Sequence, residues 1–307
     1  MGTPEIAARC LSALLDAGHQ VVAAICQPDK PKGRGYALTP PPVKVLAEER
    51  GVPVYQPLSL RGEEFSTLLT VLDPELIAVV AYGKILPHNV LVFPRYGCVN
   101  VHASLLPRLR GAAPIQRAIM EGEGETGVTT MRMDDGVDTG DMLLREVIPL
   151  TDRTDFGTLY EEMSRVGAEL LCRTVAELAA GTLTPTPQDH TRATLAPKIE
   201  KEDCRIDFTR TAAEIDRQVR GLSPAPLAFT HLPDGKTLKI VSAVPAEGTG
   251  APGEVLRVAD KKQGEIVVAC GQGALCITAA LPEGKGRMSA ADLVRGRRVR
   301  AGDRLGG

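Results

Sequence analysis

The chain of 307 residues has no tryptophan, and only 3% of it is aromatic. So few rings exclude a nucleic-acid binder that works mainly by stacking bases, and any such recognition must lean on backbone charge and shape. A dominant charge is missing too. The net formal charge of -2 excludes a molecule that is basic all over. No apolar run is long enough to span a bilayer, and the N-terminus lacks the basic start and apolar core of a signal peptide, so a cytoplasmic protein is expected. C-x-x-C and H-E-x-x-H are absent, leaving no zinc motif and no expected metal. The lack of G-x-G-x-x-G argues against a nicotinamide dehydrogenase. The seven cysteines are odd in number and scattered, often within apolar runs such as Ala24-Ile25-Cys26, which predicts reduced, packed thiols.

What is present suggests two domains, since the length exceeds one typical core. Residues 201–307 hold 17 Lys/Arg against 13 Asp/Glu, whereas residues 1–200 hold 19 against 25. The basic excess is therefore C-terminal. Thr3-Pro4-Glu5 reads as a helix start, and Ile6, Cys10, Leu11, Leu14 and Leu15 mark one face of a helix closed by Gly18. Gln20–Ile25, Leu76–Ala81 and Gly97–His102 are apolar runs of the kind buried on both faces of a sheet. A helix over Val43–Arg50 and a longer one over Phe156–Ala180 complete an alternation that predicts an α/β fold with a doubly wound, mostly parallel sheet over residues 1–181. The Thr/Pro-rich run after Gly181 reads as a linker over 182–203. From 204 to 307 short strands with Pro/Gly turns predict a small OB-like β-barrel.

Chemistry concentrates around Asn100-Val101-His102-Ala103-Ser104. Strand side chains alternate between faces, so Asn100 and His102 point the same way, at a strand end where open α/β sheets bind ligands. Some 35 residues on, Met133-Asp134-Asp135-Gly136-Val137-Asp138-Thr139-Gly140-Asp141 forms a tight loop between two apolar strands, able to bring a carboxylate beside His102. An amide to polarise a carbonyl, an imidazole to handle a proton and a carboxylate to orient it would suit acyl transfer to an amine. Each residue also has a plainer reading. A strand-end histidine can be structural, Asp138 a turn residue, and Asn100 a tie for loop backbone. The residues alone give an enzyme of unspecified reaction.

Asn100–Arg108, followed by Arg110-Gly111-Ala112-Ala113-Pro114-Ile115-Gln116 and then Gly136-Val137-Asp138-Thr139-Gly140-Asp141, resembles the signature of the folate-dependent formyltransferase family. The Asn-x-His and Ser-Leu-Leu-Pro core is shared across the superfamily. The Arg-Gly-Ala-Ala-Pro-Ile-Gln run resembles the branch acting on methionyl-tRNA more than those acting on sugar amines or purine intermediates. The likeness extends to Gln27-Pro28-Asp29, Pro42–Ala47 and Ser223-Pro224-Ala225-Pro226. It implies a Rossmann-like catalytic domain, 10-formyltetrahydrofolate as formyl donor and initiator methionyl-tRNA as acceptor, handled by a monomer. It implies Asn100, His102 and Asp138 as the catalytic trio and Ser104, Leu105, Leu106 and Pro107 as part of the folate site.

For tRNA, the resemblance implies contacts from the basic loop Lys30-Pro31-Lys32-Gly33-Arg34, through Lys30, Lys32 and Arg34. A C-terminal basic run containing Arg297 and Arg298 is a second candidate for phosphates, though a solvated basic face is the plainer reading. A non-catalytic nucleic-acid binder using the C-terminal barrel is the rival from another class, and the intact trio argues against it. The resemblance also implies an apolar strand running into Gly2-Thr3-Pro4. This sequence does not carry it, so the sheet is expected to lack its first, central strand and to show unpaired neighbours.

Overall fold

The computed structural model describes residues 1–32, 37–260 and 264–306. The chain divides into two compact units, the first comprising residues 1–114, 125–149 and 160–197, the second 115–124, 150–159 and 198–307. Along the chain up to residue 180 run α1 (Glu5–Asp16), β1 (Ala24–Ile25), β2 (Lys30–Lys32), β3 (Ala37–Thr39), α2 (Pro42–Glu49), β4 (Val54–Tyr55), α3 (Glu63–Leu72), β5 (Ile77–Val79), α4 (His88–Leu91), β6 (Cys98–His102), α5 (Pro114–Glu121), β7 (Glu125–Arg132), β8 (Met142–Pro149) and α6 (Phe156–Ala180). Helix α1 starts one residue later than its sequence suggests. Pro4 is the cap, because its carbonyl accepts from the amides of Ala7 and Ala8.

The sheet is mixed rather than mostly parallel. β5 pairs with β6 in parallel, but β6–β7 and β7–β8 are antiparallel, giving the order β5-β6-β7-β8. The nine residues between β7 and β8 are too few for the crossover that parallel neighbours need. A separate parallel pair, β1 with β4, forms a second small sheet. The run from Gln27 to Pro42, which reads as a loop, contains the antiparallel hairpin β2–β3.

Among the described residues no strand ladder joins β1 to β5. Met1 and Gly2 occupy one end of the break. The Gly2 amide donates to the Ile25 carbonyl at 2.9 Å, the Val80 amide to the Met1 carbonyl at 2.9 Å, and the Met1 ammonium to the Ala78 carbonyl at 2.6 Å. Burial pulls that ammonium down to about 6. The rest of the break is a cavity of about 400 Å³ lined by Val21, Ala23, Ile25, Leu76 and Ala78. The apolar run from Gln20 therefore forms a strand only at Ala24–Ile25, where β4 supplies partners. On one side of the sheet Phe65, Leu69, Ile77, Tyr82, Val90 and Cys98 make a continuous core.

The second unit contains α7 (Ala212–Gly221), β9 (Ala228–His231), β10 (Thr237–Ala246), β11 (Val255–Ala259), β12 (Glu265–Ala269), β13 (Ala274–Pro282), β14 (Met288–Ser289) and α8 (Ala290–Arg295). Its strands form one antiparallel sheet in the order β11-β12-β13-β10-β9, with β14 on β13. No ladder joins the end strands β11 and β9 among the described residues, so strand pairing shows an all-β sheet and not the closure of the predicted OB-like barrel. α7 opens with a capping box between Thr211 and Glu214. Its Ile215 and Val219 enter a core with Leu238, Ile240, Ile266 and Ile277. Among the described residues no helix is long and apolar enough to cross a membrane.

Candidate active site

Strand β6 positions the first two site residues. Asn100 lies opposite Met131 of β7 and His102 opposite Thr129, so the amide and the imidazole share one face of the sheet at its carboxyl end. The loop between β7 and β8 supplies the third. Asp134 shapes that loop, its Oδ1 accepting from the Gly136 amide at 3.1 Å and the Thr139 hydroxyl at 2.7 Å. Asp138 follows with φ +53°, in the left-handed region that a residue with a β-carbon enters at a cost.

The structure brings the trio together. Asn100 Nδ2 donates to Asp138 Oδ1 at 3.4 Å, and His102 Nδ1 faces Asp138 Oδ2 at 3.6 Å. The imidazole is 6% exposed and the carboxylate 16%, so their mutual field is little screened by water. His102 Nε2 lies 2.9 Å from the Leu109 carbonyl, and since a carbonyl can only accept, Nε2 carries a proton. Nδ1 is the nitrogen turned to the carboxylate.

A further donor to Asp138 escaped the sequence reading. The Gly111 amide donates to Asp138 Oδ2 at 2.8 Å. Only glycine fits there, because φ is +118° and a β-carbon would stand 2.9 Å from the Ala196 carbonyl. That segment is fixed by strand-like bonds to residues 194–196. The Leu109 amide donates to Thr194 Oγ1, the Arg110 amide to the Thr194 carbonyl, and the Ala196 amide to the Arg110 carbonyl.

Ser104, Leu105, Leu106 and Pro107 form the turn immediately after β6. Ser104 is fully buried, its hydroxyl donating to the Arg108 carbonyl at 2.7 Å, and Leu106 is buried beneath it. Leu105 and Pro107 are half-buried. Thr129, wholly buried in β7, clamps the turn from below. Its hydroxyl donates to the Ser104 carbonyl at 2.7 Å and accepts from the Leu106 amide at 3.2 Å. Two threonines between Val128 and Met131 in a strand read as buried were the available signal for it.

The tRNA candidates do not all fall within the description. Lys30 is exposed in β2, Lys32 is in the same strand, and Arg34 lies outside the described residues. The hairpin's root is anchored by Asp29. It accepts from Lys44 Nζ at 2.9 Å and Gln56 Nε2 at 2.8 Å, and the Lys44 contact first, then Gln56, holds its carboxyl below the usual range. In the second unit Arg297 is exposed with φ +53°, and Arg298 is half-buried.

Residues 1–175 match the formyl transferase family, and residues 198–298 match the formyl transferase C-terminal domain. The chain belongs to the formyl transferase family. A methionyl-tRNA formyltransferase from Citrifermentans bemidjiense is 49% identical to this formyl transferase over 306 residues, which covers 100% of the chain and 95% of that relative. Two solved structures share the fold. WlaRD, a sugar 3N-formyl transferase in the presence of dTDP and 5-N-formyl-THF, superposes with a TM-score of 0.66 at 17% identity, over 93% of this chain and 97% of that one. HypX from Aquifex aeolicus, in complex with tetrahydrofolic acid, does so with a TM-score of 0.60 at 23% identity, over 80% of this chain and 43% of that one.

Proposed function

We propose that this formyl transferase moves the formyl group of 10-formyltetrahydrofolate to the free α-amino group of initiator methionyl-tRNA, giving formylmethionyl-tRNA for translation initiation. The carrying observation is the convergence of Asn100, His102 and Asp138, in a chain that a methionyl-tRNA formyltransferase matches end to end. The turn Ser104–Pro107 suits a folate. Its half-buried Leu105 and Pro107 give an apolar wall next to polar Asn100, as a flat heterocycle with an amide edge requires.

The transfer is direct. The amine nitrogen bonds to the formyl carbon, the bond from that carbon to N10 breaks, the amine gives up a proton, and N10 receives one. A free α-amine has a pKa of roughly 8, so a modest base suffices. Asn100 supplies the hydrogen bond to the formyl oxygen as negative charge develops there. His102 shares the migrating proton with Asp138 across the Nδ1–Oδ2 contact, because its Nε2 is held by the Leu109 carbonyl. Asp138 orients that ring and receives support from the Gly111 amide.

We assign tRNA contact to Lys30, Lys32 and Arg34 in the first unit and to Arg297 and Arg298 in the second, acting on backbone phosphates. Residues 204–307 we read as an OB-like tRNA-binding domain. The bulge of β10 between Ile240 and Ala243, which bends a strand toward closure, supports that reading. The protein works as a monomer in the cytoplasm.

The deciding assay is radiolabelled formyl transfer to charged initiator tRNA, with uncharged tRNA and free methionine as controls. Labelling only of the charged tRNA is expected, as is its collapse in folded His102→Ala and Asp138→Ala proteins. Near-normal turnover in either variant would overturn the assigned roles, and labelling of free methionine the assigned acceptor.

A further inference from the structure

Gln188 makes four hydrogen bonds, two to the loop that carries Asp138 and two to Arg110. Its side chain is buried, at 6% exposure. Its Nε2 donates to the Asp138 carbonyl at 2.9 Å and to the Gly140 carbonyl at 2.7 Å. Its Oε1 accepts from Arg110 Nε at 3.1 Å and from Arg110 Nη2 at 2.6 Å. Both donors and both acceptor positions of the amide are therefore used, which no other side chain of that size could do. Arg110 is itself buried, and its Nη2 also donates to His190 Nδ1 at 3.1 Å.

The two carbonyls that Gln188 holds flank Thr139, so the amide fixes the peptide planes on both sides of the turn. That matters because Asp138 sits at φ +53°. A non-glycine residue leaves that region for a lower-energy one unless its surroundings hold it there. Release would swing the carboxylate away from Asn100, His102 and the Gly111 amide together. Other bonds of residues 186–196 reinforce the restraint. Thr186 exchanges two backbone bonds with Met142, at 2.9 and 2.8 Å, just past the loop. Thr194 and Ala196 hold Leu109 and Arg110, which precede the Gly111 donor. One strap thus grips both sides of the carboxylate.

We propose that Gln188 is a positioning residue for formyl transfer, holding Asp138 in its left-handed conformation through the two carbonyls and tying that loop to Arg110. This rests on the reading of Asp138 as part of the reacting trio.

Gln188→Glu is the informative variant. It keeps the length and the acceptor for Arg110, with a charge that strengthens that pair, but has no hydrogen to give either carbonyl. Gln188→Met removes both functions. In each variant kcat is expected to fall by about 10- to 100-fold, the scale of a displaced catalytic group, with KM for folate and tRNA within about threefold of the parent. Adding Asp138→Asn to Gln188→Glu should cost little more than Asp138→Asn alone, because both changes disable one carboxylate. A crystal structure of Gln188→Glu reads the same effect without catalysis and should show Asp138 moved off the Gly111 amide. A kcat within twofold of the parent, full additivity in the double variant, or an unmoved Asp138 would each overturn the proposal. Should Gln188→Met fail to fold, Gln188→Glu still decides. If Asp138→Asn by itself keeps turnover, the trio reading fails instead.

Discussion

Thr129→Val is the sharpest probe of how the sheet builds the turn assigned to folate. The substitution keeps nearly the same shape and removes one hydroxyl that is fully buried and serves two backbone groups. Valine leaves the Leu106 amide and the Ser104 carbonyl without that partner beneath the turn, where water does not reach. An unsatisfied buried backbone group costs about 1–3 kcal/mol, so two of them, less the small gain from an added methyl, amount to about 3 kcal/mol. For a unit of this size that is a fall in melting temperature of about 6–12 °C. Differential scanning calorimetry of parent, Thr129→Val and Thr129→Ser gives the answer, with serine expected within about 1 kcal/mol of the parent because its hydroxyl can make both bonds. The folate KM should rise in the valine variant, since the clamped backbone is the turn assigned to folate. A melting point lowered by less than about 2 °C, together with an unchanged KM, would refute the reasoning.

Three further outcomes are expected. Gly127→Ala should lower stability by about 1–3 kcal/mol or more and raise the folate KM, read by urea unfolding and steady-state kinetics, because the new β-carbon would collide with the Glu146 carbonyl and stand 2.6 Å from Leu105 Cδ2. Glu214 is held at about 2, below its usual 4.5, first by the Thr211 amide. A depressed carboxylate stabilises the fold above its unfolded value and loses that contribution as pH falls through the folded one. The stability difference between parent and Glu214→Gln should therefore be complete at pH 6 and fade from pH 4.5 toward 2 in urea titrations. A thiol reagent at pH 8 should spare Cys10 and Cys98, both buried and pushed up to about 12 by burial, and count all seven thiols only after denaturation.

The approach of Asn100, His102 and Asp138 was legible in part from local rules, and the family resemblance singled out Asp138 among the acids of its loop. Alternation along β6 put Asn100 and His102 on one face, and a loop rich in Asp and Gly between two strands could only be a turn back toward them. What sequence could not supply is the return of distant backbone. Gln188 reaches Asp138 from 50 positions away, out of a stretch whose Thr/Pro-rich start reads as a linker. The Gly111 amide is equally silent, since its position is set by Ala196. The mixed character of the sheet was written in the nine-residue connection from β7 to β8, which is too short for a crossover. The apolar strands on either side drew the reading toward a parallel sheet instead.

Among the described residues the break between β1 and β5 leaves the strands of the first unit in separate ladders. Asn100, His102, Asp138 and the clamped turn all belong to the β5–β8 piece, whereas the basic hairpin grows from the β1–β4 piece. Across the break, backbone ties come from Met1 and Gly2, joined by the side chains of Thr3 and Gln27, which both donate to the Tyr82 carbonyl. Lys84 Nζ adds bonds to the Pro57 and Leu58 carbonyls, and Ile25 shares one core with Ile77 and Val79, so side chains join the two pieces where no strand ladder runs.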